Sequence, residues 1–106
     1  MATTPDPPYV AVIFTNRRTH ADDEGYAAAA DRMESLAERI PGFLGIESVR
    51  DDQRVGITVS YWADDDAVAA WRDHPEHLDT QARGRADWYE WYELRVARVE
   101  RDRSWP

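Results

Sequence analysis

Few side chains in this sequence combine reactive chemistry with useful spacing. His77 and Gln81 stand four residues apart, so on a helix they share one face. An imidazole with a reference pKa of about 6.5 can take or give a proton near neutrality. The alternative is a solvated histidine, since Asp73, Glu76 and Asp79 surround it. Asn16 follows the β-rich run Tyr9–Thr15. Its amide offers donors and an acceptor at a strand end, or it caps a turn. Phe14 precedes it by two residues, so alternation turns both to one face. Trp71 follows Val68 at helical spacing and is either core or the flat wall of a pocket. Arg17, Arg83 and Arg85 could hold a carboxylate or enolate oxygen, or make exposed ion pairs of little worth. Arg85 leads into the aromatic cluster Trp88–Tyr92, which packs or lines a pocket mouth. No Gly-rich phosphate loop and no H-E-x-x-H pattern occurs.

Composition narrows the classes. The chain has 106 residues and a net charge of −8, with 21 acidic and 13 basic residues. The basic residues are all arginine. An acidic balance argues against nucleic acid, which calls for a basic stripe. With no cysteine there is no disulfide, thiolate nucleophile or cysteine metal site. No apolar run is long enough to span a membrane, and Met1–Pro8 lacks the basic and apolar regions of a secretory signal. These features predict a cytoplasmic protein without a membrane partner.

The elements that must position the reactive residues are readable in order. Residues 1–8 carry three prolines and read as a disordered lead. Tyr9–Thr15 reads as strand 1. Asp22 and Asp23 are candidate N-caps for a helix whose face is Tyr26, Ala30, Met33, Ala37 and Ile40. Pro41-Gly42 stops it. Phe43–Arg50 is strand 2, and the alternating Val55–Trp62 is strand 3. Asp64–Asp66 caps a short helix carrying Val68 and Trp71, and Pro75 opens another helical turn. Strand 4 is expected at about Tyr92–Glu100, followed by a tail, 101–106.

This order is β-α-β-β-α-β, an α+β ferredoxin-like arrangement with an antiparallel sheet. Strand 1 is apolar on both faces: Val10, Val12 and Phe14 on one, Tyr9, Ala11 and Ile13 on the other. Helices can cover one face only. The other calls for a second sheet, most simply from an identical subunit. A homodimer forming a dimeric α+β barrel is therefore expected.

Three stretches carry a resemblance: Thr15-Asn16-Arg17, Ile40-Pro41-Gly42-Phe43, and Tyr61-Trp62-Ala63-Asp64 with Trp71 nine residues after Trp62. In them the chain resembles, over residues 9–100, the antibiotic biosynthesis monooxygenase family and the related heme-degrading monooxygenases. In heme-degrading members an asparagine ending strand 1 and a helix tryptophan form two parts of the site, which Asn16 and Trp71 match. The third is a heme-ligating histidine roughly ten residues after that tryptophan, where Gln81 stands. Glutamine is a poor iron ligand, though His77 sits one turn earlier. Other members resemble cofactor-free enzymes that turn phenols or dihydroquinones into quinones with oxygen. The resemblance implies catalytic roles for Asn16 and Trp71, and the reading of the residues adds His77 as a catalytic candidate and Phe14, Gln81 and Arg85 as candidate substrate contacts. It implies a small aromatic or polyketide-like substrate and no cofactor, with heme on His77 as the alternative. A non-catalytic small-molecule-binding dimer is the further alternative.

Overall fold

The computed structural model describes residues 2–106. Strand β1 spans Tyr9–Arg18, three residues beyond its expected end, so Asn16 and Arg18 lie inside the sheet. Helix α1 spans Asp23–Ala37. The Asp22 carboxylate accepts from the Gly25 amide at 3.1 Å, which satisfies one of the donors every helix start leaves open. Asp23 and Glu24 add negative charge where the helix dipole favours it. The inward face of α1 includes half-buried Ala29 and buried Leu36, while the expected Ala30 is exposed. Because 3.6 residues make a turn, a stripe can pass through Ala29 as readily as through Ala30.

Strands β2 (Phe43–Arg50) and β3 (Val55–Trp62) follow. Between α1 and β2, Gly42 has φ +94° and its hydrogen faces the Ala67 methyl, so a Cβ there would lie 2.7 Å from it. Only glycine fits both demands. Helices α2 (Asp65–Arg72) and α3 (Pro75–Arg83) are capped by Asp64 and His74. A π-helical turn, Gly84–Trp88, leads into β4, Tyr89–Val99. Strand β4 thus begins three residues before its expected start, at Tyr89.

The sheet has order β2-β3-β1-β4, and each neighbouring pair is antiparallel. This is the ferredoxin-like topology. Val10, Ala37, Trp62 and Ala67 form the core, with Val12, Ile40, Phe43, Val68 and Trp71 packed against it. The helices therefore cover the face of Val10, Val12, Phe14, Asn16 and Arg18. On the opposite face Tyr9 and Ala11 are buried. Tyr9 meets Tyr61 edge-on at 5.8 Å and donates to Asp102 at 2.7 Å. Residues 2–8 form no helix or strand; the Ala2 amide donates to Glu47 at 3.3 Å. Ile57 and Val49 on this face remain 43% and 72% exposed.

Candidate functional site

Two groups of side chains stand on the helix side of the sheet. The first gathers where β1, β3 and β4 meet. Asn16 is 1% exposed, and neither atom of its amide has a hydrogen-bond partner. In register it lies between Gly56 of β3 and Tyr92 of β4. A buried amide without partners costs about 1–3 kcal/mol, so its presence calls for a reason other than stability. Phe14 packs edge-on to Tyr89 at 5.3 Å and tilted to Tyr92 at 5.4 Å.

Tyr89 is set by the π-helical turn. Its ring lies so near Gly84 that a Cβ there would come within 2.8 Å of it. The Tyr89 hydroxyl donates to that of Tyr26 at 3.3 Å, and the Arg50 guanidinium donates to the same oxygen at 3.1 Å. Burial, then the Tyr26 hydrogen bond, pushes the Tyr89 hydroxyl above its ordinary pKa. The Arg18 guanidinium lies 3.9 Å from the Tyr26 ring centroid, within cation–π range. Arg18 is itself buried and donates to the carbonyl of Trp88 at 3.2 Å and to Asp23 at 2.7 Å. Hydrogen bonds from Arg54 and then Arg18 hold the Asp23 carboxyl below its ordinary range.

The second group sits at the break between α2 and α3. Trp71 stacks on Trp62 at 6.1 Å and 22°. On Trp71 lies the His77 ring, at 4.1 Å and 14°. The two belong to different helices, joined through Asp73 and His74. His74 Nδ1 accepts from the Glu76 amide at 3.2 Å, which fixes the start of α3. His77 Nδ1 is 2.8 Å from the Trp71 carbonyl. A carbonyl only accepts, so Nδ1 carries the proton and Nε2 keeps its lone pair. Burial holds His77 below the ordinary imidazole pKa, against the opposing effect of that hydrogen bond. With Nδ1 protonated, the Gln81 amide NH2 can donate only to Nε2, from which it stands 3.5 Å.

The structure thus joins Trp71, His77 and Gln81 at one end, and Phe14 and Asn16 at the other. Trp62, which carries the stack, pairs with Val10. Val10 and Asn16 are six residues apart, about 20 Å of strand at 3.3 Å per residue. Val12 and Phe14 lie between them on the same face of β1. Arg85 is exposed on the π-helical turn, apart from both groups. Arg17 points away from the helices and pairs with Glu90 at 3.4 Å. Arg83 pairs with Asp22 at 3.2 Å, an exposed ion pair. Sequence reasoning passed over Arg18 and gave Tyr26 and Tyr89 no defined role. The signal for Arg18 was the alternation Val10, Val12, Phe14, Asn16, Arg18, carried two residues further.

As to heme, the matched ligand position holds the Gln81 amide, which suits iron poorly. His77 offers an imidazole whose Nδ1–H is held by a carbonyl, but its Nε2 lone pair faces the Gln81 amide NH2 at 3.5 Å, which a metal there would have to displace.

The model of one protein family, antibiotic biosynthesis monooxygenase, matches residues 8–83. The chain belongs to that family. It is 52% identical over 103 residues to the uncharacterized protein YqjZ of Bacillus subtilis, covering 97% of this chain and 90% of that one. It is 30% identical over 91 residues to jasmonate monooxygenase ABM of Pyricularia oryzae, covering 84% of this chain. It spans only 42% of that relative's length. Its fold is similar to that of SnoaB, a cofactor-independent oxygenase of Streptomyces nogalater, with a TM-score of 0.75 and 18% identity over 89% of this chain and 95% of that one.

Proposed function

We propose that this family member is a cofactor-independent monooxygenase acting on a flat phenol or dihydroquinone, small and aromatic or polyketide-like. The observation that carries the reading is the Asn16 amide, buried and unpartnered on the helix side of the sheet. Family membership and the likeness to a cofactor-independent oxygenase support it.

The chemistry balances without an external electron source. A phenol and O2 give a quinone and water; one oxygen atom enters the ring and the other leaves as water. His77 Nε2 accepts the phenolic proton at one end of the substrate. The phenolate reacts with O2 at the carbon para to its oxygen, giving a peroxide at the other end. There the Asn16 NH2 donates to the peroxide oxygens, as an oxyanion-hole donor does. Trp71 provides a flat wall that holds the ring system in plane and keeps water out. Phe14 supports the ring from β1. In this reading Gln81 orients His77, and Arg85 meets only substituents that extend beyond the site.

The test is oxygen uptake with a panel of phenols and dihydroquinones, at one O2 per quinone formed. Background uptake across the panel rejects the reading. Tight binding of those aromatics without turnover assigns the chain to non-catalytic ligand binding.

A second reading, heme on His77, is favoured by the Nδ1-H tautomer. A bound heme would supply an iron that activates oxygen. Hemin titration decides it: a saturable Soret band lost in His77→Ala and kept in His74→Ala supports heme, and no specific band removes it.

The chain also fits a two-fold homodimer. Ile13, Ile57, Val59 and Tyr61 lie on the sheet face that carries no helices, and a partner sheet covers such a face.

A further inference from the structure

We propose that the cavity at Arg50 is a binding site for the carboxylate of a small organic acid. The inference goes beyond the monooxygenase reading and concerns binding alone.

The site begins with a glycine. Arg50 of β2 and Asn16 of β1 both pair with Gly56 of β3, on the helix side of the sheet. Gly56 has no side chain, and the Arg50 guanidinium takes its place. A Cβ on Gly56 would lie 2.6 Å from Cζ and 2.8 Å from each terminal nitrogen, so the flat group lies face-down on the strand. Neighbouring strands run about 4.8 Å apart. Arg50 thus stands one strand over from the unpartnered Asn16 amide. It also lines a cavity of about 330 Å³, at the lower end of the roughly 300–1,000 Å³ of small-molecule sites.

Arg50 is the cation of this cavity whose partners are neutral. It donates to the Arg54 carbonyl at 2.8 Å and to the Tyr26 hydroxyl at 3.1 Å. A guanidinium has five N–H donors, so three remain. Two of them can serve both oxygens of one carboxylate, the fork geometry that arginine favours. Tyr26 lines the same cavity. Its oxygen accepts from Arg50 and from Tyr89, which leaves its own proton to give to the same carboxylate.

The other two guanidiniums at the cavity are committed. Arg18 and Arg54 each donate to one oxygen of Asp23 at 2.7 Å. One carboxylate shared by two cations leaves net positive charge on that side. Asp51 and Asp52 oppose it from the β2–β3 turn. The Asp51 carboxylate is turned to the backbone, accepting from the Gln53 and Val55 amides at 2.9 and 3.0 Å. A singly charged carboxylate suits this balance better than a dianion, which the two aspartates would repel. A substrate ring lying at Asn16 can carry such a group to Arg50 as a substituent.

The experiment titrates the full, isotope-labelled chain at neutral pH and constant ionic strength with benzoate, benzamide and inorganic phosphate. Benzoate and benzamide share a shape and differ in charge. The reporters are the NMR signals of the Arg50 Nε–H and the Gly56 amide. Benzoate should shift both saturably. Benzamide should bind at least about tenfold more weakly, the scale of one charge-assisted hydrogen bond. Arg50→Gln should weaken benzoate by a similar factor, read at Gly56, and Arg50→Lys should recover part of it. Gly56→Ala displaces only the end of a flexible side chain; it keeps the charge and should still weaken benzoate. Equal affinities for benzoate and benzamide, or full benzoate affinity in Arg50→Gln, overturn the site. Phosphate binding as tight as that of benzoate overturns the carboxylate assignment. Benzoate binding by a chain that takes up no oxygen with any phenol rejects the monooxygenase reading and leaves this site standing.

Discussion

Replacing Asn16 with leucine should make the protein more stable and less active. The two side chains are close in size, and β1 tolerates leucine. Asn16 is 1% exposed, and both polar atoms of its amide lack partners. The native state therefore bears the cost of an amide stripped of water and given nothing in exchange, about 1–3 kcal/mol. Leucine removes that cost and adds apolar contact with the neighbouring rings. For a domain of this size each kcal/mol moves Tm by about 4–8 °C. Asn16→Leu should thus melt at least about 4 °C higher. It should also unfold at a higher urea midpoint with an unchanged slope, compared at equal protein concentration. The same change removes the only peroxide donor assigned to β1. kcat should fall about 100-fold, as when one oxyanion-hole donor is deleted. A gain in stability with a loss of activity marks a residue kept for function. A variant that unfolds earlier than wild type would refute the reasoning, because it would mean that the amide is hydrogen-bonded in solution.

Three further outcomes follow from the same geometry. Because burial lowers the His77 pKa, the unfolded chain binds that proton more readily than the folded one. His77 therefore contributes full stability above its unfolded value of about 6.5 and loses it as pH falls through and below that value. Urea midpoints across this range should fall less steeply in His77→Gln than in wild type. Gly84→Ala places a methyl 2.8 Å from the Tyr89 ring and should destabilise by about 1–3 kcal/mol; combining it with Tyr89→Ala should remove most of the clash term in a double-mutant cycle. Ile57→Arg puts a charge on the sheet face without helices, where Ile57 is 43% exposed. Sedimentation equilibrium should give a dimer for wild type and a monomer for the variant, and a monomeric wild type would reject the dimer.

The element order was legible because period and punctuation agreed. Val55–Trp62 alternates, Pro41-Gly42 breaks the chain, and acidic caps precede both α1 and α2. The ends of β1 and β4 were not legible, for opposite reasons. Asn16-Arg17-Arg18 looks like a loop because it is polar, yet Asn16 and Arg18 are buried and still paired in the sheet. Trp88–Tyr92 is aromatic at nearly every position, so no alternation marks where the π-helical turn ends and the strand begins. The Trp71–His77 stack was hidden as well. Six residues is not a contact spacing within a helix, and in a strand it would separate the two by about 20 Å; the contact exists because the chain breaks at Asp73–His74 and α3 turns back on α2.

These same failures of pattern locate the site. Where local preference and final structure agree, as in β3, the residues serve the fold. Where a polar side chain is carried into the interior without partners, or a helix is widened into a π turn at a glycine to seat a tyrosine, the sequence has departed from what packing alone would choose. Asn16 and Tyr89 are two such departures. They meet at one end of the sheet, while the Trp71–His77 stack holds the other. An arrangement with a base at one end and peroxide donors at the other requires a substrate long enough to face both. A bicyclic or larger phenol with its oxygen and its reactive carbon on opposite edges should therefore turn over faster than a single-ring phenol of the same reactivity. Equal rates for the two would mean that only one end of the site meets the substrate.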